Sequence, residues 1–195
     1  MSKTNRLSWI SREMSHILRH VPPPGAMDSS GFVPLHVLLQ HMKSKPTVEE
    51  LRQVIETDIK GRFVLDETYE PPRIRATQGH TVRLEAPVLK RVTSVTTMAV
   101  HVAVHATSEQ GWQAIQQNGE LCRMGRCHIH FATLPQHLRR NQWANVFLLL
   151  DLKRALNDGY IFMLSTNDVL LCEGPLPVQY VQYVSYEDLP MLWMA

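Results

Sequence analysis

The sequence has few cysteines, no long apolar run and almost no net charge. Only three of its 195 residues are cysteine (Cys122, Cys127 and Cys172), and an odd count without framework spacing predicts free thiols in a reducing compartment. The longest purely apolar runs, such as residues 146–150, are far shorter than the roughly 20 residues that span a bilayer. The N-terminus predicts an amphipathic helix and not a signal peptide. We therefore expect a soluble protein without membrane contact, cytoplasmic or, in a eukaryote, nuclear, and a monomer by default.

The charge is unevenly distributed although its sum is only +2. Residues 1–91 carry 14 Lys and Arg against 10 Asp and Glu, whereas residues 92–195 carry 6 against 8. This asymmetry predicts two surfaces with different partners. The partner of the basic first half is expected to be anionic.

The first half predicts three helices followed by a hairpin. Apolar residues three and four positions apart, from Leu7 to Leu18, predict a first helix that the prolines at 22–24 end. A short strand at Phe32-Val33 leads into a helix near Pro34, and a capping-box pattern from Thr47 to Glu50 heads a third helix. Two strands at residues 62–65 and 73–76 complete a layout typical of winged-helix domains, many of which bind nucleic acid.

The second half changes to short apolar runs bounded by Gly, Pro, Asn and Asp, which are typical of β-structure. We predict about six strands in a mixed sheet or sandwich, interrupted by a helix near residues 109–117 that turns Trp112 and Ile115 inward. The fold class is α+β, with domains at residues 1–90 and 91–195. The apolar tail, residues 186–195, is either a docked segment or a contact surface.

Several polar residues have both a structural and a chemical interpretation. Arg19 and His20 suit the C-terminal end of a helix, where the macrodipole stabilises cations. Arg73 and Arg75 share one face of a strand and suit a solvated hairpin. Arginine also binds phosphate oxygens through a planar fork, so Arg19, Arg75 and Arg126 predict a phosphate site if the fold brings them together.

The histidines allow a zinc alternative. His128 and His130 have the His-x-His spacing of metal ligands on a strand, and His105 is the obvious third ligand. No carboxylate stands out as an orienting partner for such a site. We therefore favour the phosphate interpretation and expect no metal.

Five segments, taken in order, resemble the motifs of the RNA 2′-phosphotransferase family. They are LSWISREMSHILRH, DSSGFVPLHVLL, RIRATQGHTV, HATSEQGWQAIQQNGELCRMGRCHIHFA and ALNDGYIFMLSTNDVLLCEG. The resemblance runs from about Leu7 to Val184, and five motifs in register are far more specific than any one of them.

The resemblance implies an N-terminal winged-helix lobe that binds RNA and a C-terminal lobe with the ADP-ribosyltransferase fold that binds NAD. Enzymes of this family remove an internal RNA 2′-phosphate, such as the one left at a tRNA splice junction. The phosphate attacks NAD, expels nicotinamide and forms an ADP-ribosylated RNA phosphate. The ribose 2″-hydroxyl then attacks phosphorus, which frees the RNA 2′-hydroxyl and gives ADP-ribose 1″,2″-cyclic phosphate.

The resemblance also implies the site residues. The family's catalytic set falls on Arg19, His20, Arg75 and Arg126. The residues implied for NAD are His105, Ala106, Thr107, His128, Ser165 and Asn167, with His130 lining the same region. Those implied to support the RNA and phosphate side are Arg73, Gln78 and His80, although His80 is equally expected to be structural.

Two positions depart from the family pattern. Ala106 stands where a His-Gly-Thr motif has glycine, and its methyl group is harmless only if the backbone angles there are ordinary. Asp168 replaces a turn glycine, and aspartate tolerates the left-handed region better than most residues. Two other classes of function therefore stay open: an ADP-ribosyltransferase that modifies phosphorylated nucleic-acid ends and stops there, and an RNA-binding module without catalysis.

Overall fold

The computed structural model describes residues 3–94, 100–138 and 142–194. The chain folds into two compact units, residues 1–88 and 89–195. The start of one expected strand, residues 96–99, lies outside the described residues.

The first unit contains three helices and a three-stranded sheet. In chain order its elements are α1 (Lys3–His20), β1 (Val33–Pro34), α2 (Leu35–His41), α3 (Val48–Glu56), β2 (Phe63–Asp66) and β3 (Arg73–Ala76). The strands pair antiparallel in the order β1-β3-β2. The helices and hairpin predicted for this half are confirmed to within a few residues.

Helix α1 forms because its apolar residues recur on one face. Ile10, Met14, Ile17 and Leu18 are all buried in the core of the unit. The helix ends at His20, two residues before the first of three prolines, whose rings cannot continue it.

Helix α3 begins with the predicted capping box. The Thr47 hydroxyl accepts a hydrogen bond from Glu50 N at 3.1 Å, and Glu50 Oε2 accepts one from Thr47 N at 3.0 Å. Arg6 on α1 holds the same carboxylate with both Nε and Nη2. The hydrogen bond from Arg6 lowers the pKa of Glu50 to about 2, so this pair joins α1 to α3 at neutral pH.

The second unit is mainly antiparallel β-structure. Its elements are β4 (Leu89–Val92), β5 (Val104–Thr107), α4 (Glu109–Asn118), β6 (Glu120–Leu121), β7 (Ile129–Phe131), β8 (Val146–Leu150), α5 (Leu152–Asn157), β9 (Phe162–Ser165), β10 (Leu170–Cys172), β11 (Leu176–Pro177), β12 (Val181–Val184) and α6 (Leu189–Leu192). The strand orders are β4-β9-β10-β7, β12-β8-β5 and β11-β6, and an isolated bridge between Val104 and Ala132 links the first two sheets.

The expectation of a mixed sheet was wrong for the described strands, because every pairing among them is antiparallel. Short connections such as residues 166–169 between β9 and β10 favour this arrangement, since parallel neighbours need a crossover of a dozen or more residues. The described part of this unit also has nine strands and not six. The additional strands include β6 and β11, which are two residues long and carry no periodic signal.

The sheet β12-β8-β5 is apolar on both faces. Along β8, Leu148 and Leu150 join the main core of the unit, whereas Phe147 and Leu149 face a second, smaller cluster. That cluster is completed by Leu189 and by Trp193, whose Nε1 donates to Thr133 O at 2.9 Å. The apolar tail is therefore docked on this face up to Trp193.

Among the described residues, no helix combines the length and apolar character needed to cross a membrane.

Candidate functional site

The C-terminal end of α1 presents Arg19 and His20 to a segment that follows β3. The Arg19 carbonyl accepts hydrogen bonds from Thr81 N at 3.0 Å and from the Thr81 hydroxyl at 3.3 Å. His20 Nδ1 lies 3.2 Å from the same hydroxyl oxygen. Thr81 therefore fixes both the end of the helix and the imidazole ring.

These contacts engage Nδ1 of His20. The Thr81 hydroxyl lies within hydrogen-bonding distance of both His20 Nδ1 and Arg19 O, and Arg19 O also accepts from Thr81 N. Nε2 is the other nitrogen of the ring, and an imidazole nitrogen can take or return a proton in a reaction near neutral pH.

The Arg19 side chain lies against Gly79. The φ of Gly79 is +87°, a region that side-chain-bearing residues rarely adopt, and a Cβ there would lie 3.4 Å from Arg19 Nε and 3.5 Å from Cζ. The guanidinium consequently packs against the backbone of residue 79. Of the neighbouring residues of the predicted site, His80 is buried and Gln78 is half-buried.

The two arginines of β3 have different surroundings. Arg73 donates to Asp66 Oδ2 at 3.0 Å, forms a longer contact with Asp28, and its guanidinium carbon lies 3.9 Å from the centre of the Tyr69 ring. These contacts give Arg73 a structural role in the hairpin.

Arg75 is only 5% exposed, with its guanidinium carbon 5.3 Å from the centre of the Phe32 ring. Burial lowers the pKa of Arg75, and the charge of Asp28 partly opposes that change. A guanidinium held in so little water interacts strongly with an anion.

Strand β5 contains three of the six residues that the resemblance assigns to NAD. His105 Nδ1 lies 3.0 Å from His130 O and therefore donates to it, so the neutral ring carries its lone pair on Nε2. The His105 ring packs 5.8 Å from the ring of Phe131. These contacts hold the imidazole in one orientation.

Ala106 faces away from this side of the strand. Strand residues alternate between faces, and the methyl group of Ala106 packs in the smaller cluster with its pairing partner Phe147. The residue is absent from the positions with positive φ. Neither the space nor the backbone angle at residue 106 requires glycine, so the first departure from the family pattern is accommodated.

Thr107 lies beneath the start of α4. Ser108 caps this helix by accepting from Gly111 N at 3.0 Å. A Cβ at residue 111 would lie only 2.3 Å from Thr107 Oγ1. Gly111 therefore allows the helix to approach the strand while Thr107 keeps its side-chain orientation.

Ser165 and Asn167 belong to the turn between β9 and β10. Ser165 is 3% exposed, and its hydroxyl lies 2.8 Å from Asn167 Oδ1 and 3.0 Å from both the N and O of Val169. Asp168 has φ +60°, and its carbonyl accepts from the Thr133 hydroxyl. The second departure thus occupies the left-handed position for which the family pattern has glycine, and aspartate adopts it within an ordered turn.

Arg126 and His128 lie in and after the turn that precedes β7. Arg126 N donates to Arg123 O at 3.2 Å. The residue as a whole is exposed, and desolvation lowers the pKa of its guanidinium. Burial also lowers the pKa of His128, with Glu173 opposing and Arg123 adding to the shift, which favours the neutral ring.

Thr81, Gly111 and Thr133 were not predicted as site residues. Thr81 follows the Gln-Gly-His motif directly, and that position is the only sequence signal that could have indicated it. The contacts of Gly111 and Thr133 arise from tertiary packing. The described ranges contain no group of three or more His, Cys, Asp or Glu residues arranged to hold a metal ion.

Comparison with known proteins assigns a family. The sequence pattern of the family described as "RNA 2'-phosphotransferase, Tpt1 / KptA family" matches residues 5–174. A probable RNA 2′-phosphotransferase of Rhizobium johnstonii is 31% identical over 189 residues, covering 93% of this chain and 96% of that protein. The tRNA 2′-phosphotransferase 1 of Bos taurus is 37% identical over 192 residues, covering 88% and 72%. The tRNA 2′-phosphotransferase of Saccharomyces cerevisiae is 26% identical over 202 residues, covering 94% and 86%.

Proposed function

The chain belongs to the RNA 2′-phosphotransferase, Tpt1 / KptA family, and we propose that it removes an internal 2′-phosphate from RNA by transferring it to NAD. The match over residues 5–174 carries the proposal, because all four residues of the catalytic set lie within it. Because two of the relatives are named tRNA 2′-phosphotransferase, we propose a spliced tRNA as the first candidate substrate.

The arginines are the proposed phosphate-binding groups. In the first unit, Arg75 is buried beside Phe32 and Arg19 is packed against Gly79, so both guanidinium groups are restrained before substrate binds. In the second unit, Arg126 is proposed to stabilise negative charge on the phosphate oxygens while phosphorus is displaced. Preorganised cations of this kind lower the barrier because they need little rearrangement during the reaction.

His20 is the proposed proton carrier. When the ribose 2″-hydroxyl attacks phosphorus it loses a proton, and the departing RNA 2′-oxygen gains one. Nε2 is the ring atom that we propose for this proton transfer, because Nδ1 already contacts the Thr81 hydroxyl.

His105, Thr107, Ser165 and Asn167 are the proposed residues that bind NAD. When bound, NAD supplies an electrophilic anomeric carbon and a nicotinamide leaving group. The ring of His105 is oriented by His130 O, and Ser165 is buried within the ordered turn of Asn167. Such rigidly supported polar groups suit the binding of a dinucleotide.

We also propose the fold of each unit. Three helices followed by the hairpin β2-β3, with β1 added to its edge, suit a winged-helix fold for RNA. The antiparallel sheets of the second unit suit an ADP-ribosyltransferase fold for NAD. The first unit contains the proposed phosphate residues Arg19 and Arg75, and the second contains those proposed for NAD.

A turnover assay tests the function. The protein is incubated with a short RNA that carries one internal 2′-phosphate, with NAD and a metal chelator, and the products are weighed by mass spectrometry. We expect RNA with a free 2′-hydroxyl, together with nicotinamide, only when NAD is present. RNA that retains its phosphate and gains ADP-ribose would identify an ADP-ribosyltransferase that stops at the first step. An absence of turnover at high NAD would identify a non-catalytic RNA-binding protein.

A further inference from the structure

A groove of about 780 Å³ lies in the first unit, beside helix α1 and the segment from α3 to β2. One wall follows α1 from Thr4 to Arg19. The other wall comes from residues 53–62. The groove therefore ends at an arginine of the proposed catalytic set and extends away from it along the helix.

The helical wall is mainly a polar stripe. One of its seven residues is the apolar Leu7, which packs against the core. The six polar residues, most of them three or four positions apart, are Thr4, Ser8, Ser11, Arg12, Ser15 and Arg19. This spacing places them on one face of the helix, next to the apolar face that is buried in the core. Hydroxyl groups and arginines are the side chains that commonly contact phosphate and sugar in nucleic acids.

The charge of the groove is positive. Three arginines line it against one aspartate, Asp58. The Asp58 side chain is 4% exposed and lies 3.0 Å from Arg62 Nη1, so its charge is already compensated. The Arg12 side chain donates to Ser8 O at 3.2 Å and forms no ion pair with any residue that the structure describes.

We propose that this groove binds the backbone of the RNA strand on one side of the 2′-phosphate, with the strand following α1 away from Arg19. This inference rests on the proposed function, because it assumes that Arg19, at one end of the groove, binds the RNA 2′-phosphate. The stripe from Thr4 to Arg19 is about 22 Å long at 1.5 Å per residue. A stacked strand that rises about 3.4 Å per nucleotide would fill it with roughly six nucleotides.

The test compares a 2′-phosphorylated dinucleotide with RNAs of about eight nucleotides that carry the 2′-phosphate near either end. For each protein variant we take the ratio of kcat/KM for the longer RNA to kcat/KM for the dinucleotide. In the unmodified protein we expect this ratio to exceed one for the RNA whose additional nucleotides lie on the side of the 2′-phosphate that enters the groove. Arg12→Ala lowers it about tenfold or more, as expected when one hydrogen bond to a charged group is lost.

Two controls support the interpretation. Lys43→Ala removes a positive charge from the same unit on the opposite side of α1, where Lys43 N contacts Glu13 Oε1, and leaves the ratio unchanged. Arg12→Lys keeps the charge and recovers part of the loss. The logarithmic salt dependence of binding for the longer RNA becomes shallower by about 0.7 in Arg12→Ala, as expected when one phosphate contact is lost.

The outcomes separate this inference from the function itself. If the dinucleotide is not processed with NAD, the proposed function fails. If the dinucleotide is processed but added nucleotides give no gain, or if Arg12→Ala and Lys43→Ala change the ratio equally, the groove does not bind RNA and this inference is overturned. Circular dichroism of each variant confirms that the fold is retained.

Discussion

At the scale of single residues, the structure shows a supporting residue for several of the predicted site residues. Thr81 orients His20, Gly79 receives the side chain of Arg19, and His130 O orients His105. Each support acts through geometry and not through charge. Their removal is therefore expected to change catalytic rates or substrate binding more than it changes folding.

Thr81→Val removes the hydroxyl that holds His20 Nδ1, whereas Thr81→Ser keeps it. We expect Thr81→Val to lower kcat about tenfold or more with little change in KM for RNA, and Thr81→Ser to remain close to the unmodified protein. The pH profile of kcat is the second measurement. Two neighbours of His20 are titratable or charged: His16, whose ring centre lies 5.6 Å from the ring centre of His20, and Arg19. Equal kcat values and equal pH profiles in the two variants would show that Thr81 holds the end of the helix and does not support catalysis by His20.

Arg75 and Arg73 are a matched pair on one strand. Arg75→Ala is expected to lower kcat/KM on the order of a hundredfold, the common effect of losing one preorganised charge. Arg73→Ala removes ion pairs with Asp66 and Asp28 and is expected to cost about 1 kcal/mol of stability with a smaller effect on turnover. Kinetics and thermal unfolding of both variants decide the assignment, and an unimpaired Arg75→Ala enzyme would refute it.

Ala106→Gly restores the residue of the family pattern. Because the methyl group packs beside Phe147 on the opposite face from His105, we expect no gain in NAD affinity. Glycine inside a strand should instead lower the free energy of unfolding by about 0.5–1 kcal/mol. Calorimetric titration with NAD checks the first part, and tighter binding by the glycine variant would show that Ala106 weakens the site.

At the scale of elements, two helices are each positioned by one specific contact in addition to their apolar packing. Helix α4 approaches β5 over Gly111, and helix α3 is joined to α1 through Glu50 and Arg6. The contact at Gly111 involves Thr107, a residue proposed to bind NAD. The pair of Arg6 and Glu50 belongs to the first unit and is remote in sequence from the residues proposed to bind NAD.

Gly111→Ala would place a Cβ 2.3 Å from Thr107 Oγ1, which forces the helix or the threonine to move. We expect KM for NAD to rise several-fold while KM for RNA changes little, since displacement of Thr107 disturbs the NAD residues. Gln113→Ala, an exposed change in the same helix, serves as the control. Comparable KM values for NAD in both variants would exclude a role for the close approach at Gly111.

Glu50→Gln tests the link between α1 and α3. The folded-state pKa of Glu50 is about 2, below the ordinary value of 4.5, so its ionisation stabilises the fold above pH 4.5 and loses that effect as the pH falls towards 2. The Tm of the variant should therefore be lower than that of the unmodified protein at pH 7, and the difference should shrink at pH 3. A difference that is independent of pH would contradict this assignment.

At the scale of the whole molecule, the sequence predicted the local structure better than the long-range pairing. The apolar face of α1, the capping box at Thr47 and the hairpin that contains Arg75 were confirmed, because each depends on residues close in sequence. The antiparallel pairing of the described strands in the second unit was missed, as were the two-residue strands β6 and β11. Pairings such as Val104 with Leu149 join residues far apart in the chain, and nothing local encodes them.

The same limit applies to the site. Residue types and motif order indicated Arg19, His20, Arg75 and Arg126, but their roles stay predictions. The orientation of Ala106 away from His105 required the sheet register, and the contact that orients the His20 ring required the position of Thr81. The sequence could therefore indicate candidate site residues, whereas it could not indicate which neighbours orient them.

The most direct test of the account follows the phosphorus atom. An RNA labelled with radioactive phosphorus only in its internal 2′-phosphate is incubated with the protein and NAD, and the labelled products are separated. We predict that the label leaves the RNA and appears in ADP-ribose 1″,2″-cyclic phosphate, in amounts equal to the nicotinamide released. Label in inorganic phosphate, released equally without NAD, would identify a hydrolytic phosphatase and would contradict transfer to NAD.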